Sequence, residues 1–315
     1  MNDNRSQRVL VLHQGAIGDF ILTLSAVQAV SELLGGADVT VVATAPSARL
    51  AAGRSVVRRC LHPDQVGGHT LFQTDGPLDR RLLDLLGQAD LVLSFLGGHD
   101  EAAHGRLKSY SSGQVVSVDP RPTHETITQR RHITRQWCDA IREEGLDIPD
   151  PTPPVIRLDI HRPEKQAQPR ILIHPGSGGR SKCWPLEYFL ALADSIQDAQ
   201  VSWMLGPVEA ERDGQMVDAI RRRSAETGEG LVIEADLFRA TEDISTTCLY
   251  IGNDSGMTHL AAALGVPTIA IFTATDPAVW APRGGHVRVI ENQTTQEPLT
   301  PQKVIQAIRE VDHGS

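Results

Sequence analysis

The chain has 315 residues, 40% of them hydrophobic, enough to bury a large core, and at roughly 150 residues per domain it is expected to form two domains. That composition excludes collagen-like, coiled-coil and disordered chains. Thirty Lys and Arg against thirty-nine Asp and Glu leave a net charge of −9, which argues against a general nucleic-acid binder, whose affinity rests on a basic footprint.

The four cysteines, Cys60, Cys138, Cys183 and Cys248, are far apart and show no paired spacing. Neither a zinc ribbon nor a disulfide framework is expected, and a reduced, cytoplasmic protein is the simpler reading. Arg5 and Arg8 precede only 9–12 before His13 interrupts, too short a run for a signal-peptide core. The longest apolar stretch, 260–272, contains Gly265 and Pro267 and falls short of the ~20 residues that span a bilayer. Any meeting with a membrane is expected at its surface.

In chain order, 9–12 reads as a strand, followed by a glycine turn and a helix with Phe20, Leu24, Val27 and Leu34 at helical spacing. Strands follow at 39–43 and 91–95, with helical patterns around 82–86 and 133–141. Between 147 and 154 come Pro149, Pro151, Pro153 and Pro154, a density that no helix or central strand tolerates, so a linker is expected there. The alternation then restarts: strand 171–174, glycine loop, helix 186–196, strand 201–205, and strands 249–252 and 268–272. A helix of about 300–313 opens at Thr300-Pro301, with the option of packing back on the N-terminal domain. The expected class is α/β, with doubly wound parallel-sheet domains at 1–154 and 155–315. In such sheets ligands bind at the carboxyl ends of strands, so the chemistry is sought on the loops there, facing a central cleft.

The first such loop is Gly15-Ala16-Ile17-Gly18-Asp19. It lacks the third glycine of a dinucleotide fingerprint, and a carboxylate at the helix start would repel a pyrophosphate, so an oxidoreductase is disfavoured. Asp19 reads either as a first-turn acid serving the helix dipole or as a general base that removes a hydroxyl proton. Gly15 and Gly18 would let substrate approach the backbone.

The second loop, 174–185, is not a Walker A sequence, because Lys182 lies between Ser181 and Cys183. It does offer a diphosphate the Ser177 hydroxyl, backbone amides at Gly178 and Gly179, and the Lys182 ammonium. Trp184 is most simply a core or interdomain anchor. The third loop, after strand 249–252, places the capping residues Asp254 and Ser255 before a first helical turn of Gly256, Met257, Thr258 and His259, whose N–H groups would form an anion site. Taken alone, His259 reads better as a satisfied histidine on a helix face.

Together these loops resemble glycosyltransferase family 9, the family of the ADP-heptose:lipopolysaccharide heptosyltransferases. The first loop resembles that family's Gly-Ala-Leu-Gly-Asp turn, and 175–185 is similar to its segment ending Lys-x-Trp-Pro. Residues 254–260 resemble its Asp-Ser/Thr-Gly-x-x-His-Leu signature, and 206–209 its Gly-Gly-x-x-Glu turn, all in the right order across about residues 8–290.

The resemblance implies a GT-B fold with an N-terminal acceptor domain and a C-terminal nucleotide-sugar domain. It also implies inversion at the anomeric carbon with no metal and no cofactor beyond the sugar nucleotide, expected to be ADP-linked. The lack of any Asp-x-Asp triplet agrees. By resemblance Asp19 is the general base; Lys182, Ser177 and the 256–259 turn form the diphosphate cradle; Glu209 meets the ribose and Asp254 the donor sugar. The chain departs from the family's pattern at Ser25, usually proline, at 272–274, where Phe-Gly-Pro is common, and at His13, where Arg or Lys is frequent.

Expected partners are the donor and an anionic glycan or glycolipid acceptor, with no nucleic acid and with peripheral contact at the inner leaflet of the cytoplasmic membrane. Two basic clusters bear on the acceptor: Arg49, Arg54, Arg58 and Arg59, and Arg121, Arg130, Arg131 and Arg135, offset only by Glu125. Either could hold an anionic group, or each is an ordinary solvated helix face. Two readings compete with transfer of heptose: a GT-B enzyme with another sugar nucleotide and a non-lipopolysaccharide acceptor, and a sugar-nucleotide-binding homologue without turnover.

Overall fold

Short β-branched and aliphatic runs form strands here because both of their faces are covered by helices. In β1 (Arg8–His13), β2 (Asp38–Ala43) and β4 (Leu91–Phe95) every residue after the first, and in β4 the first as well, is buried. The computed structural model describes residues 5–97, 101–159, 168–292 and 299–312, in two units, 1–157 and 158–315.

The first unit adds α1 (Ile17–Leu33), α2 (Pro46–Ala51), β3 (Val57–Leu61), α3 (Arg80–Gln88), α4 (Glu101–Tyr110), β5 (Gln114–Ser117), α5 (His124–Thr128) and α6 (Ile133–Glu143). Its sheet is wholly parallel in the order β3-β2-β1-β4-β5. The chain reverses its direction of winding between β1 and β4, so the loops leaving those two strands diverge and open a crevice at their carboxyl ends. Helix α1 is apolar nearly all round and buries Phe20, Ile21, Leu22, Leu24, Val27 and Val30. Each such side chain contributes about 1.5–3 kcal/mol on burial. The proline-rich stretch has no regular structure and is held on this unit: the Arg142 Nε donates to the Ile148 carbonyl at 2.9 Å and the Arg157 amide to the Arg54 carbonyl at 2.7 Å.

The second unit comprises β6 (Arg170–His174), α7 (Leu186–Asp194), β7 (Gln200–Leu205), α8 (Pro207–Arg212), α9 (Gly214–Thr227), β8 (Gly230–Ile233), α10 (Leu237–Ser245), β9 (Leu249–Asn253), α11 (Gly256–Ala263), β10 (Thr268–Phe272), α12 (Pro277–Trp280), β11 (Val287–Glu291) and α13 (Pro301–Asp312). Its parallel sheet runs β11-β10-β9-β6-β7-β8, with the switch point between β6 and β9. Trp184, Phe189, Trp203, Ile251 and Ile271 fill the core. Helix α13 buries Val304 and Ala307 in this same core, against α7, β10 and β11; residue 313 lies outside the described residues. The small side chains 261–263 let α11 lie close on β9 and β10.

Periodicity does not reveal β3, β5, β8 and β11. Each is an edge strand with at most two buried residues, so its hydrophobic signal is weak. As a result Arg58 and Arg59 stand on a strand, where the sequence suggested a helix face. No described helix is long and apolar enough to cross a membrane.

Candidate active site

The first loop closes around a buried histidine. His13 ends β1, and its ring lies edge-on to Phe20 at 5.3 Å and near Phe95 at 6.3 Å. Its Nδ1 accepts the Gly15 N–H at 3.1 Å. Burial favours the neutral imidazole and lowers its pKa to about 4. A Cβ on Gly15 would lie 2.7 Å from His13 Cε1 and 2.8 Å from Asp19 Cβ, so a larger residue would force the two apart.

Asp19 sits half-buried in the first turn of α1, and its Oδ2 accepts the Ala16 N–H at 3.1 Å, with Gly18 beside it in the same turn. The helix thus positions a carboxylate at the mouth of the crevice, stabilised by the positive end of the helix dipole. The carboxylate thus serves as a first-turn cap on the Ala16 amide.

In the second unit three loops converge on Asp254. Its amide continues the ladder by donating to the Ile271 carbonyl at 2.9 Å, which fixes the side chain at the sheet's carboxyl edge. The Asp254 Oδ2 takes the Lys182 ammonium at 2.7 Å and the Thr275 hydroxyl at 2.6 Å, while the His259 Nε2 lies 4.0 Å from Oδ1. Asp254 is buried, whereas the Lys182 side chain is 36% exposed. Lys182 is therefore anchored at its inner end and still reachable by a ligand, unlike a solvated surface lysine.

Three residues expected in the diphosphate cradle are engaged otherwise. The Ser177 hydroxyl donates to the Asp254 carbonyl at 2.8 Å, so its single proton ties two loops together. The helical ladder of α11 begins at Ser255, whose carbonyl accepts the Thr258 and His259 amides at 3.1 Å and 3.2 Å. The expectation of free N–H groups through 256–259 is thus corrected: Gly256 and Met257 carry the amides beyond that ladder. Thr258 and His259 are buried, and the Thr258 hydroxyl donates to the Asn253 carbonyl. Gly178 is exposed, with its carbonyl accepting Arg212 Nη1 at 3.2 Å.

Glu209, in the first turn of α8, is buried and reaches back to the Gly206 amide at 2.8 Å. His174 Nε2 lies 3.8 Å away, an electrostatic rather than hydrogen-bonding distance. Burial by itself would raise the Glu209 carboxyl; His174 and the Gly206 amide outweigh it and hold the carboxyl below its ordinary value. Gly176 is the residue that admits it, since a Cβ there would stand 1.9 Å from Glu209 Oε1.

Asn253, not singled out from sequence, organises the second loop. Its Oδ1 accepts the Trp184 amide at 2.9 Å and its Nδ2 donates to the Pro175 carbonyl at 2.7 Å, so one buried amide pins both ends of the loop. Thr275 was also missed; its signal is its place just past the departure at 272–274. The second basic cluster reads differently once folded: Arg131 pairs with Asp139, and Arg135 lies 3.9 Å from Asp150, so acids from α6 and the proline segment offset it besides Glu125. In the first cluster Arg58 lies 3.5 Å from Asp38. Among the described residues no group of three or more His, Cys, Asp or Glu could hold a metal ion.

Two tandem doubly wound domains, with a capped helix and a lysine at the switch point of the second, define a GT-B protein. The fold agrees with solved structures of Escherichia coli ADP-heptose lps heptosyltransferase II (TM-score 0.71, 18% identity, 97% of this chain and 98% of that one) and of E. coli heptosyltransferase WaaC with ADP (TM-score 0.67, 18%, 97% and 100%). The profile of glycosyltransferase family 9 (heptosyltransferase) matches residues 99–307, and the chain belongs to that family. Curated relatives include lipopolysaccharide heptosyltransferase 3 of E. coli strain K12, 34% identical over 36% of this chain and 33% of that protein, and lipopolysaccharide heptosyltransferase 2 of the same strain, 29% over 51% and 49%. The matched region thus spans a third to a half of those relatives' length.

Proposed function

We propose that the chain is an inverting, metal-independent glycosyltransferase that moves heptose from ADP-heptose to a hydroxyl of a lipopolysaccharide-core-like or other anionic glycan. The observation that carries this reading is the Lys182–Asp254–Thr275 cluster beside the N-terminus of α11, at the switch point of the second sheet. An ammonium and helical amides there suit a leaving diphosphate, the part a metal plays in other transferases. Asp19 takes the proton of the acceptor hydroxyl as its oxygen attacks the anomeric carbon and the carbon–diphosphate bond breaks. Glu209 holds the ribose. The acceptor is met at the cytoplasmic face of the membrane, with peripheral contact through exposed arginines.

A second reading keeps the fold and changes the donor. It is favoured by Thr275 and Lys182 both occupying the Asp254 oxygen that a donor sugar would otherwise meet.

Calorimetric titration with ADP, UDP and GDP, with and without magnesium, separates these. Magnesium-independent preference for ADP, followed by heptose transfer from ADP-heptose, is expected. Preference for UDP or GDP selects the second reading, and absence of binding by all three leaves a homologue without turnover.

A further inference from the structure

A pocket of about 450 Å³ opens in the N-terminal unit at the carboxyl ends of β1 and β2. That volume lies in the ~300–1,000 Å³ range of small-molecule sites. Its inner wall is aliphatic and buried: Leu12, Val42, Leu71 and Leu82. Its polar lining, Gln14, Thr44, Asp64 and His69, is exposed and forms a rim, where Phe72 also stands 39% exposed. An apolar interior under a polar rim fits an amphiphile, chain inward and head outward. No Lys or Arg is among the lining residues, and Asp64 is, so the rim disfavours an anionic head. His13, also in the wall, is buried and held neutral by that burial.

The pocket adjoins the catalytic loop. His13 lines it, and His13 and Asp19 flank Gly15 at 2.7 Å and 2.8 Å from the single point a Cβ would occupy. Gln14, exposed on the rim, directly precedes Gly15, so the outer end of a molecule seated in the pocket lies beside the loop that leads to Asp19.

We propose that this pocket binds an alkyl chain carried by the acceptor, whose neutral, hydroxyl-bearing head then lies at the rim next to Asp19. The assignment rests on the transferase reading for the role of Asp19, but its binding test does not. The anionic groups of the acceptor, where present, lie away from this pocket.

The test titrates the full chain calorimetrically with n-octyl β-D-glucoside below its micelle concentration, with methyl β-D-glucoside and phenyl β-D-glucoside as comparison arms. Saturable binding of the octyl compound, at least tenfold tighter than either of the others, is expected. Phe72→Asp and Thr44→Trp change exposed rim residues and should each weaken octyl glucoside at least tenfold while leaving ADP affinity unchanged. Equal affinity for octyl and methyl glucosides, tighter binding of the phenyl compound, or octyl binding indifferent to both substitutions overturns the proposal. Loss of ADP binding in the wild-type chain would instead count against the transferase reading, so the two failures are distinct.

Discussion

Lys182 and Asp254 stand 72 residues apart in the chain and meet at 2.7 Å, joining the loop after β6 to the strand end of β9. The carboxylate is buried and the ammonium is partly open, so the pair presents one positive group to a ligand while its negative partner stays inside.

Removing the lysine leaves a buried carboxylate with the Thr275 hydroxyl and no balancing ammonium. Lys182→Met is expected to destabilise the protein by ~1–2 kcal/mol, below the cost for a fully buried pair because the ammonium is partly screened by water. Asp254→Asn alone should also destabilise, but the double variant should cost less than the two singles together, as chemical denaturation in a double-mutant cycle would read. ADP affinity should fall at least tenfold in Lys182→Met; an unchanged affinity would remove this lysine from the diphosphate site.

Asp19 combines a cap and a proposed base, and the two roles separate by measurement. Asp19→Asn keeps an oxygen able to accept the Ala16 N–H, so its effect on melting should be small, within about 1 kcal/mol. Turnover should fall by ~10²–10⁴ with ADP affinity preserved. A variant that turns over at the wild-type rate would leave Asp19 as a helix cap alone.

The approach of Glu209 to Gly176 predicts a compensating pair. Gly176→Ala places a methyl 1.9 Å from Glu209 Oε1 and must displace the carboxylate from the Gly206 amide, at ~1–3 kcal/mol. Donor binding should weaken with it. Adding Glu209→Ala removes the clash, so the double variant should regain stability relative to Gly176→Ala without regaining donor affinity. Thermal melting and ADP titration on the three proteins check both halves.

His13 makes stability depend on pH with a defined sign. Its folded pKa of about 4 lies below the ordinary 6.5, so the unfolded chain binds the proton more readily. Its contribution is therefore fully present above pH 6.5 and is lost as pH falls from 6.5 towards 4, by about 3 kcal/mol in all. His13→Gln cannot titrate, and its denaturation free energy should change less across that interval than the wild type's. Parallel curves for the two proteins would show that another group governs the slope.

The fold was legible where strands are central and helices strongly apolar. The β1, β2, β4, β6, β7, β9 and β10 segments all announce themselves as short hydrophobic runs, because both of their faces are buried. The edge strands β3, β5, β8 and β11 do not, since their exposed faces carry residues such as Arg58, Gln114 and Arg288. The motifs at 15–19, 175–185 and 254–260 lay in order along the sequence, and their loops fall at the switch points because the strands before them are the central ones.

What the sequence by itself determined is therefore the α/β class, the family resemblance and the loops that carry charge. Local pattern suffices for these, because helix and strand periodicity and turn residues act over a few neighbours. Only the tertiary structure decided what each group is bonded to. Ser177 spends its proton on the Asp254 carbonyl, Asn253 pins the loop that holds Lys182, and Asp139 and Asp150 come back to offset Arg131 and Arg135. Hydrogen bonds and ion pairs depend on distances of a few ångströms between residues tens of positions apart, and packing of the sheet fixes those distances where no local spacing does.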